Sequence, residues 1–181
     1  MNGTCIQAVM CAARRGGVWR VLMAVLLLAL GSCAAAPRQP NLVFHSFSFD
    51  GWSDNWYPKA ELIEYSYGDQ YQMVRKAARP PESRLGPRTS IGGPMPVGEF
   101  LYVKWRIQAS GEVREERVDL RPLLPADMDH HGLTFVIEGQ QLYVYLVTPK
   151  PKHEDDPPLL KTTKSRYHLT YEIYPTNTYT R

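Results

Sequence analysis

The pattern of apolar and polar positions from residue 42 onward has period 2, which places successive side chains on opposite faces of a strand. Glu99–Gln108 (EFLYVKWRIQ) is the clearest case: Leu101, Val103, Trp105 and Ile107 alternate with Tyr102, Lys104 and Arg106. Leu42–Asp50 (LVFHSFSFD) puts Val43, His45, Phe47 and Phe49 on one side. Arg166–Tyr174 (RYHLTYEIY) sets Tyr167, Leu169, Tyr171 and Ile173 against Arg166, His168, Thr170 and Glu172. After a turn at 109–112, Val113–Leu120 (VREERVDL) predicts a polar edge strand, whose charges oppose edge-to-edge pairing. Leu133–Ile137 and Leu142–Thr148 flank Glu138-Gly139-Gln140-Gln141, a hairpin signal. In 59–78 the pattern splits into a strand over Glu61–Tyr67 and a short helix over Asp69–Ala78, with Asp69 as N-cap. Pro- and Gly-rich loops are expected at 79–98 and 149–158. Six or seven short strands with such loops predict a mainly β chain: a small antiparallel β-sandwich or partly open barrel, with one short helix.

The N-terminus breaks this pattern. Val21–Leu30 (VLMAVLLLAL) is apolar on every side and about half the roughly 20 residues a spanning helix needs. Arg14, Arg15 and Arg20 precede it, and no acid occurs before Asp50. A positive flank, a short apolar core and small residues after it define a secretory signal peptide. The rest of a twin-arginine motif is missing around Arg14-Arg15, and Met10 is an alternative start.

Leu30-Gly31-Ser32-Cys33 resembles the lipobox of bacterial lipoproteins: an aliphatic residue, two small residues, then cysteine. The resemblance implies cleavage before Cys33, diacylation of its sulfur and usually acylation of the new amine. Two or more acyl chains anchor a protein stably where one does not. Ala34 follows Cys33 where aspartate would imply retention at the inner membrane, so the resemblance implies the periplasmic face of the outer membrane. Three segments are expected: a signal peptide over 1–32, a lipidated tether over 33–41 containing two prolines, and a single β-rich domain over 42–181.

Cleavage changes the totals. Removing residues 1–32 from the 181 leaves 149, enough for one domain with its own core. Cys5 and Cys11 leave with the leader, so the domain can form no internal disulfide. The formal charge of +3 also leaves: of 21 Lys and Arg, three are leader arginines, and 18 remain against 18 acids. A neutral domain gives no support for nucleic-acid binding, which needs an excess of cations against phosphate.

Chemistry-bearing motifs are sparse. No G-x-S-x-G elbow or phosphate loop occurs, and only a Ser-His-Asp site assembled from distant positions would escape detection. No cofactor is implied, and the chain is expected to be non-enzymatic. Asp127-Met128-Asp129-His130-His131 and His153-Glu154-Asp155-Asp156 gather metal-ligating residue types without a known ligand spacing. They are solvated loops, or else Asp127, Asp129 and His131 are the ligands. In Phe49–Tyr57 (FDGWSDNWY), Trp52, Asp54, Trp56 and Tyr57 interleave aromatics with acids and amides. The rings either plug one end of the β core, anchor a protein partner or stack on a glycan. Arg79–Gly98 is a second candidate contact surface, as a long loop.

The lipobox, the size and the β-rich body with Trp-Ser-Asp and Tyr-Gly-Asp loops resemble small lipoproteins that serve as immunity partners of secreted antibacterial effectors. That resemblance implies a membrane-anchored protein binder. The rival expectation is a cell-envelope lipoprotein that binds glycan or peptidoglycan or is purely structural.

Overall fold

The computed structural model describes residues 41–68, 75–77, 85–153, 160 and 166–180. The chain divides into two units, Met1–Gln39 and Pro40–Arg181, and the first lies outside the described residues. So do Cys33, most of the tether, Asp69 and Glu154–Asp156.

The second unit is a sandwich-like pair of sheets and not a closed barrel. Its strands are β1 (Leu42–Asp50), β2 (Ala60–Tyr67), β3 (Arg75–Ala77), β4 (Arg88–Pro96), β5 (Phe100–Ile107), β6 (Val113–Asp119), β7 (Gly132–Glu138), β8 (Gln141–Pro151) and β9 (His168–Tyr174). One sheet has the order β4-β1-β7-β8-β9 and the other β3-β2-β5-β6. All pairings are antiparallel except β1 with β7, where Ser46, Ser48 and Gly132, Thr134 run in the same direction.

The alternation seen in the sequence fixes which faces meet. His45, Phe47 and Phe49 from β1 and Leu101, Val103 and Trp105 from β5 are all buried. They join Leu133, Phe135 and Ile137 of β7, Leu142, Val144 and Leu146 of β8, and Ile173 of β9. The centre of the core is aromatic. Phe47 stacks on Tyr67 with centroids 5.2 Å apart and planes 4° off parallel, and Phe49 and Phe135 are 4.7 Å apart. β6 is an edge strand as the charges predict. Two of its charges face the opposite sheet: Arg114 donates to Gln140 Oε1 (2.9 Å), and Glu116 accepts from the Tyr174 hydroxyl of β9. With Trp105 Nε1 donating to the Gly139 carbonyl (3.1 Å), these bonds tie the two sheets at one end.

Four expectations are corrected. Residues 88–96 are strand β4, not loop: nine residues pair with β1 from Leu42↔Pro96 to Asp50↔Arg88. Gly92-Gly93, Pro94 and Pro96 disguise it in sequence. β4 is an edge, however, and two prolines two residues apart turn their missing N–H toward the same side. Only the unpaired outer side of an edge tolerates that. Arg75–Ala77 are strand β3 on the edge of β2 (Glu64↔Ala77, Ser66↔Arg75), not the end of a helix. An open ladder beside β2 outweighs local helix propensity. Tyr167 precedes β9 and is 65% exposed, so the inward face of that strand is carried mainly by Ile173. The expected loop at 149–158 starts later, since β8 continues through Pro151.

A buried polar pair closes one end of the core. The His45 side chain is 1% exposed; its Nδ1–H donates to the Val43 carbonyl (2.8 Å), so Nε2 of the neutral ring accepts from the Tyr67 hydroxyl (2.9 Å). Desolvation holds the imidazole below its ordinary 6.5, against the opposing pull of the Val43 carbonyl. Burial pushes the Tyr67 phenol up to about 12. The folded state therefore binds fewer protons at His45 than the unfolded chain does. His45 contributes stability in full above pH 6.5 and loses it as pH falls through the depressed folded value. Urea midpoints should fall between pH 7.5 and pH 5, and His45→Gln should flatten that part of the profile. An unchanged profile in the variant would assign the slope to other groups.

Candidate functional site

The β1–β2 connection, Gly51–Lys59, carries the aromatic-acid motif, and local hydrogen bonds fix its shape. Asp50 Oδ1 accepts from the Trp52 and Ser53 N–H groups (3.1 and 3.0 Å), and Oδ2 accepts from the Ser53 hydroxyl (2.9 Å). This is the side-chain-to-backbone turn that Asp forms readily. Desolvation pushes the Asp50 carboxyl up, but those three bonds and the charge of Arg88 outweigh it and hold the group below the usual carboxylate range. Trp56 and Tyr57 N–H both reach the Gly51 carbonyl (3.0 Å each), and Asn55 takes a left-handed φ of 58°. Gly51 is required by a close approach: a Cβ there would lie 2.9 Å from the Trp56 ring.

The motif separates into an inward and an outward half. Trp56 is 2% exposed and packs between Phe49 (6.1 Å) and Phe135 (6.0 Å). It plugs the core, so it is not a contact residue. Trp52 is 59% exposed and rests on Tyr57, with centroids 5.0 Å apart and planes at 52°. A cavity of 280 Å³ opens beside the two rings, lined also by Pro58, Glu61 and Gln108. Glu61 accepts from Arg106 Nη1 across the β2–β5 ladder (2.7 Å), so the cavity wall carries a braced carboxylate. Asp54 is half-buried and does not line this cavity; its charge helps keep the Tyr145 phenol of β8, pushed up to about 12 mainly by burial, in its protonated form.

Of the sequence candidates, the structure therefore brings together Trp52 and Tyr57 and removes Trp56 and Asp54 from the ledge. It adds Glu61 and Gln108. No sequence signal marks these two, because the β2–β5 register that places them joins positions more than 40 residues apart.

The acidic-histidine loop does not converge on a point. Asp127 Oδ1 accepts from the Asp129 N–H (2.9 Å), His131 Nδ1 donates to the Asp129 carbonyl (2.9 Å), and His130 Nε2 lies 3.4 Å from Asp129 Oδ2. Among the described residues, no group of three or more His, Cys, Asp or Glu side chains could hold a metal ion. Asp127, Asp129 and His131 instead cap their own turn.

No protein-family model matches the chain, and no curated protein and no solved structure is significantly similar to it.

Proposed function

We propose that this chain is a non-enzymatic lipoprotein, anchored through Cys33 at the periplasmic face of the outer membrane, that binds a protein partner through the Trp52–Tyr57 ledge. The observation that carries the binding half is an exposed tryptophan whose position is set before any partner arrives. Trp52 is held from below by Tyr57 and at its backbone by Asp50. Exposed, rigid aromatic side chains are where interfaces concentrate their energy, and a side chain ordered in advance loses little entropy on binding. The anchoring half is supported by the Leu30-Gly31-Ser32-Cys33 lipobox behind a positively flanked apolar run. Occlusion of a secreted effector, as the resemblance to immunity lipoproteins suggests, is the specific form of this reading. The rival glycan reading loses one of its three rings, because Trp56 is buried.

Both halves are testable in cells. Cys33→Ser should abolish metabolic labelling with an alkyne fatty acid and move the protein out of the membrane fraction. A photoreactive amino acid at position 52 should crosslink one discrete protein, and the same group at the exposed Val113 of β6 should not. Trp52→Ala should weaken the complex with that protein by about 100-fold, a typical hot-spot loss of about 2–3 kcal/mol. Equal crosslinking from both positions, or an affinity unmoved by Trp52→Ala, excludes the ledge. For the immunity form, a strain lacking the gene should be inhibited beside a toxin-producing sister strain.

A further inference from the structure

We infer that the outer face of the five-stranded sheet carries a second binding site, a hydroxyl-lined trough that takes a neutral saccharide. The alternation that sends Phe47, Phe49 and Phe135 inward sends Ser46, Ser48 and Thr134 outward. Cross-strand register extends the row: Ser90 of β4 faces Ser48, Ser48 faces Thr134, and Gly132 lies beside Ser46. Ser48, Ser90, Gly132 and Thr134 line a cavity of 520 Å³, with Phe49, Leu133 and Val147 as its apolar wall and Asp50, Ser53 and Arg88 at its rim, while Ser46 supports Gly132 from outside the lining. That volume is in the range of small-molecule sites. Gly132 keeps the floor low, since a Cβ there would sit 3.0 Å from Ser46 Oγ.

The second observation is independent of the shape. Thr134 lines the cavity, is 2% exposed, and its Oγ1 has no hydrogen-bond partner among the described residues. A buried hydroxyl without a partner is costly and rare, whereas valine would fill the same volume at no such cost. A ligand hydroxyl in the trough supplies the missing partner.

The lining selects the ligand class. Ser48, Ser90 and Thr134 each offer a hydroxyl that both donates and accepts, as sugar hydroxyls do, and Ser53, whose proton goes to Asp50, still accepts. Arg88 and Asp50 face each other in register, so the rim is charge-balanced and offers no excess cation to a phosphate or carboxylate. An apolar ligand would give the Ser48, Ser90 and Thr134 hydroxyls nothing to bond. The site is separate from the protein-binding ledge but shares Asp50 with it. The carboxylate that borders the trough also holds the Trp52 N–H, so occupancy should be readable in Trp52 fluorescence.

The test is calorimetry and amide NMR on the full chain in detergent. The probes are N,N′-diacetylchitobiose and maltose, with sodium phosphate as the anionic control. At least one sugar should bind saturably, with the largest shifts at Ser48, Ser90 and Thr134. Gly132→Val should abolish binding by raising the floor. The isosteric Thr134→Val should weaken it at least tenfold while its Tm is no lower than that of the native chain. The proposal is overturned if neither sugar binds, if the shifts cluster at Trp52 and Tyr57 instead, or if Thr134→Val leaves affinity unchanged. Competition by phosphate would overturn the neutral ligand class.

Discussion

Truncation of Phe47 to alanine is expected to cost about 3–5 kcal/mol of folding free energy, the range for removing a buried aromatic ring. Phe47 is fully buried and touches four other rings: Tyr67 (5.2 Å, nearly parallel), Tyr65 (5.9 Å), Phe135 (6.2 Å) and Phe49 (6.4 Å). These neighbours come from both sheets, so the deletion opens a void at the seam of the sandwich rather than at its margin. Collapse is also restricted, because Tyr67 is held at its hydroxyl by His45 and cannot swing into the space. Marginal stability of about 5–15 kcal/mol makes this loss a large fraction of the total. Urea denaturation followed by far-UV dichroism should show the lower midpoint with an unchanged slope. A loss below about 1 kcal/mol would mean that the two sheets are not joined through this ring.

The second large effect is expected from adding one methyl group. In Gly98→Ala the new Cβ would lie 2.6 Å from two carbons of the Tyr67 ring and 3.0 Å from the Gly68 nitrogen. Overpacking of a core usually costs about 1–3 kcal/mol, and the cost depends on what can move. Here little can move. The ring is stacked on Phe47, its hydroxyl is hydrogen-bonded to His45, and Gly68 is itself in a left-handed φ of 68°. A loss of about 3 kcal/mol or more is expected by the same denaturation measurement. Tyr67→Leu is itself destabilising, so the clash is read from the cycle: the loss in Gly98→Ala with Tyr67→Leu should be smaller than the sum of the two single losses, since residues in contact are not additive. Additive losses would place the strain in the backbone and not against the ring.

Much of the fold was legible because one face of each central strand is apolar. β1 and β5 stand where period 2 predicts them, with Phe47 and Trp105 inward, and β7 and β8 stand where the hairpin signal at 138–141 predicts them. The misses lie at sheet edges. β4 carries two glycines and two prolines, which signal a loop when read alone and an edge strand once β1 is beside them. β3 is three residues long, too short to show a period. β9, also an edge, buries only Ile173 fully, so its alternation predicted a deeper face than it has. In the Phe49–Tyr57 motif, composition named the right loop but not the direction of each ring: Trp52 and Trp56 are four residues apart and end on opposite sides of it. The trough on the outer sheet face left no mark in the sequence. Ser48, Ser90, Gly132 and Thr134 gain meaning only through a register that joins three strands.

The parallel pairing of β1 with β7 bears on the order in which the molecule can be made. β1 precedes every other described strand, yet its place between β4 and β7 needs Gly132–Thr134, more than 80 residues later. Closing so long a loop is slow, and β1 waits with an aromatic edge on offer until β7 arrives. The five-stranded sheet therefore cannot close until β7, β8 and β9 have all been made.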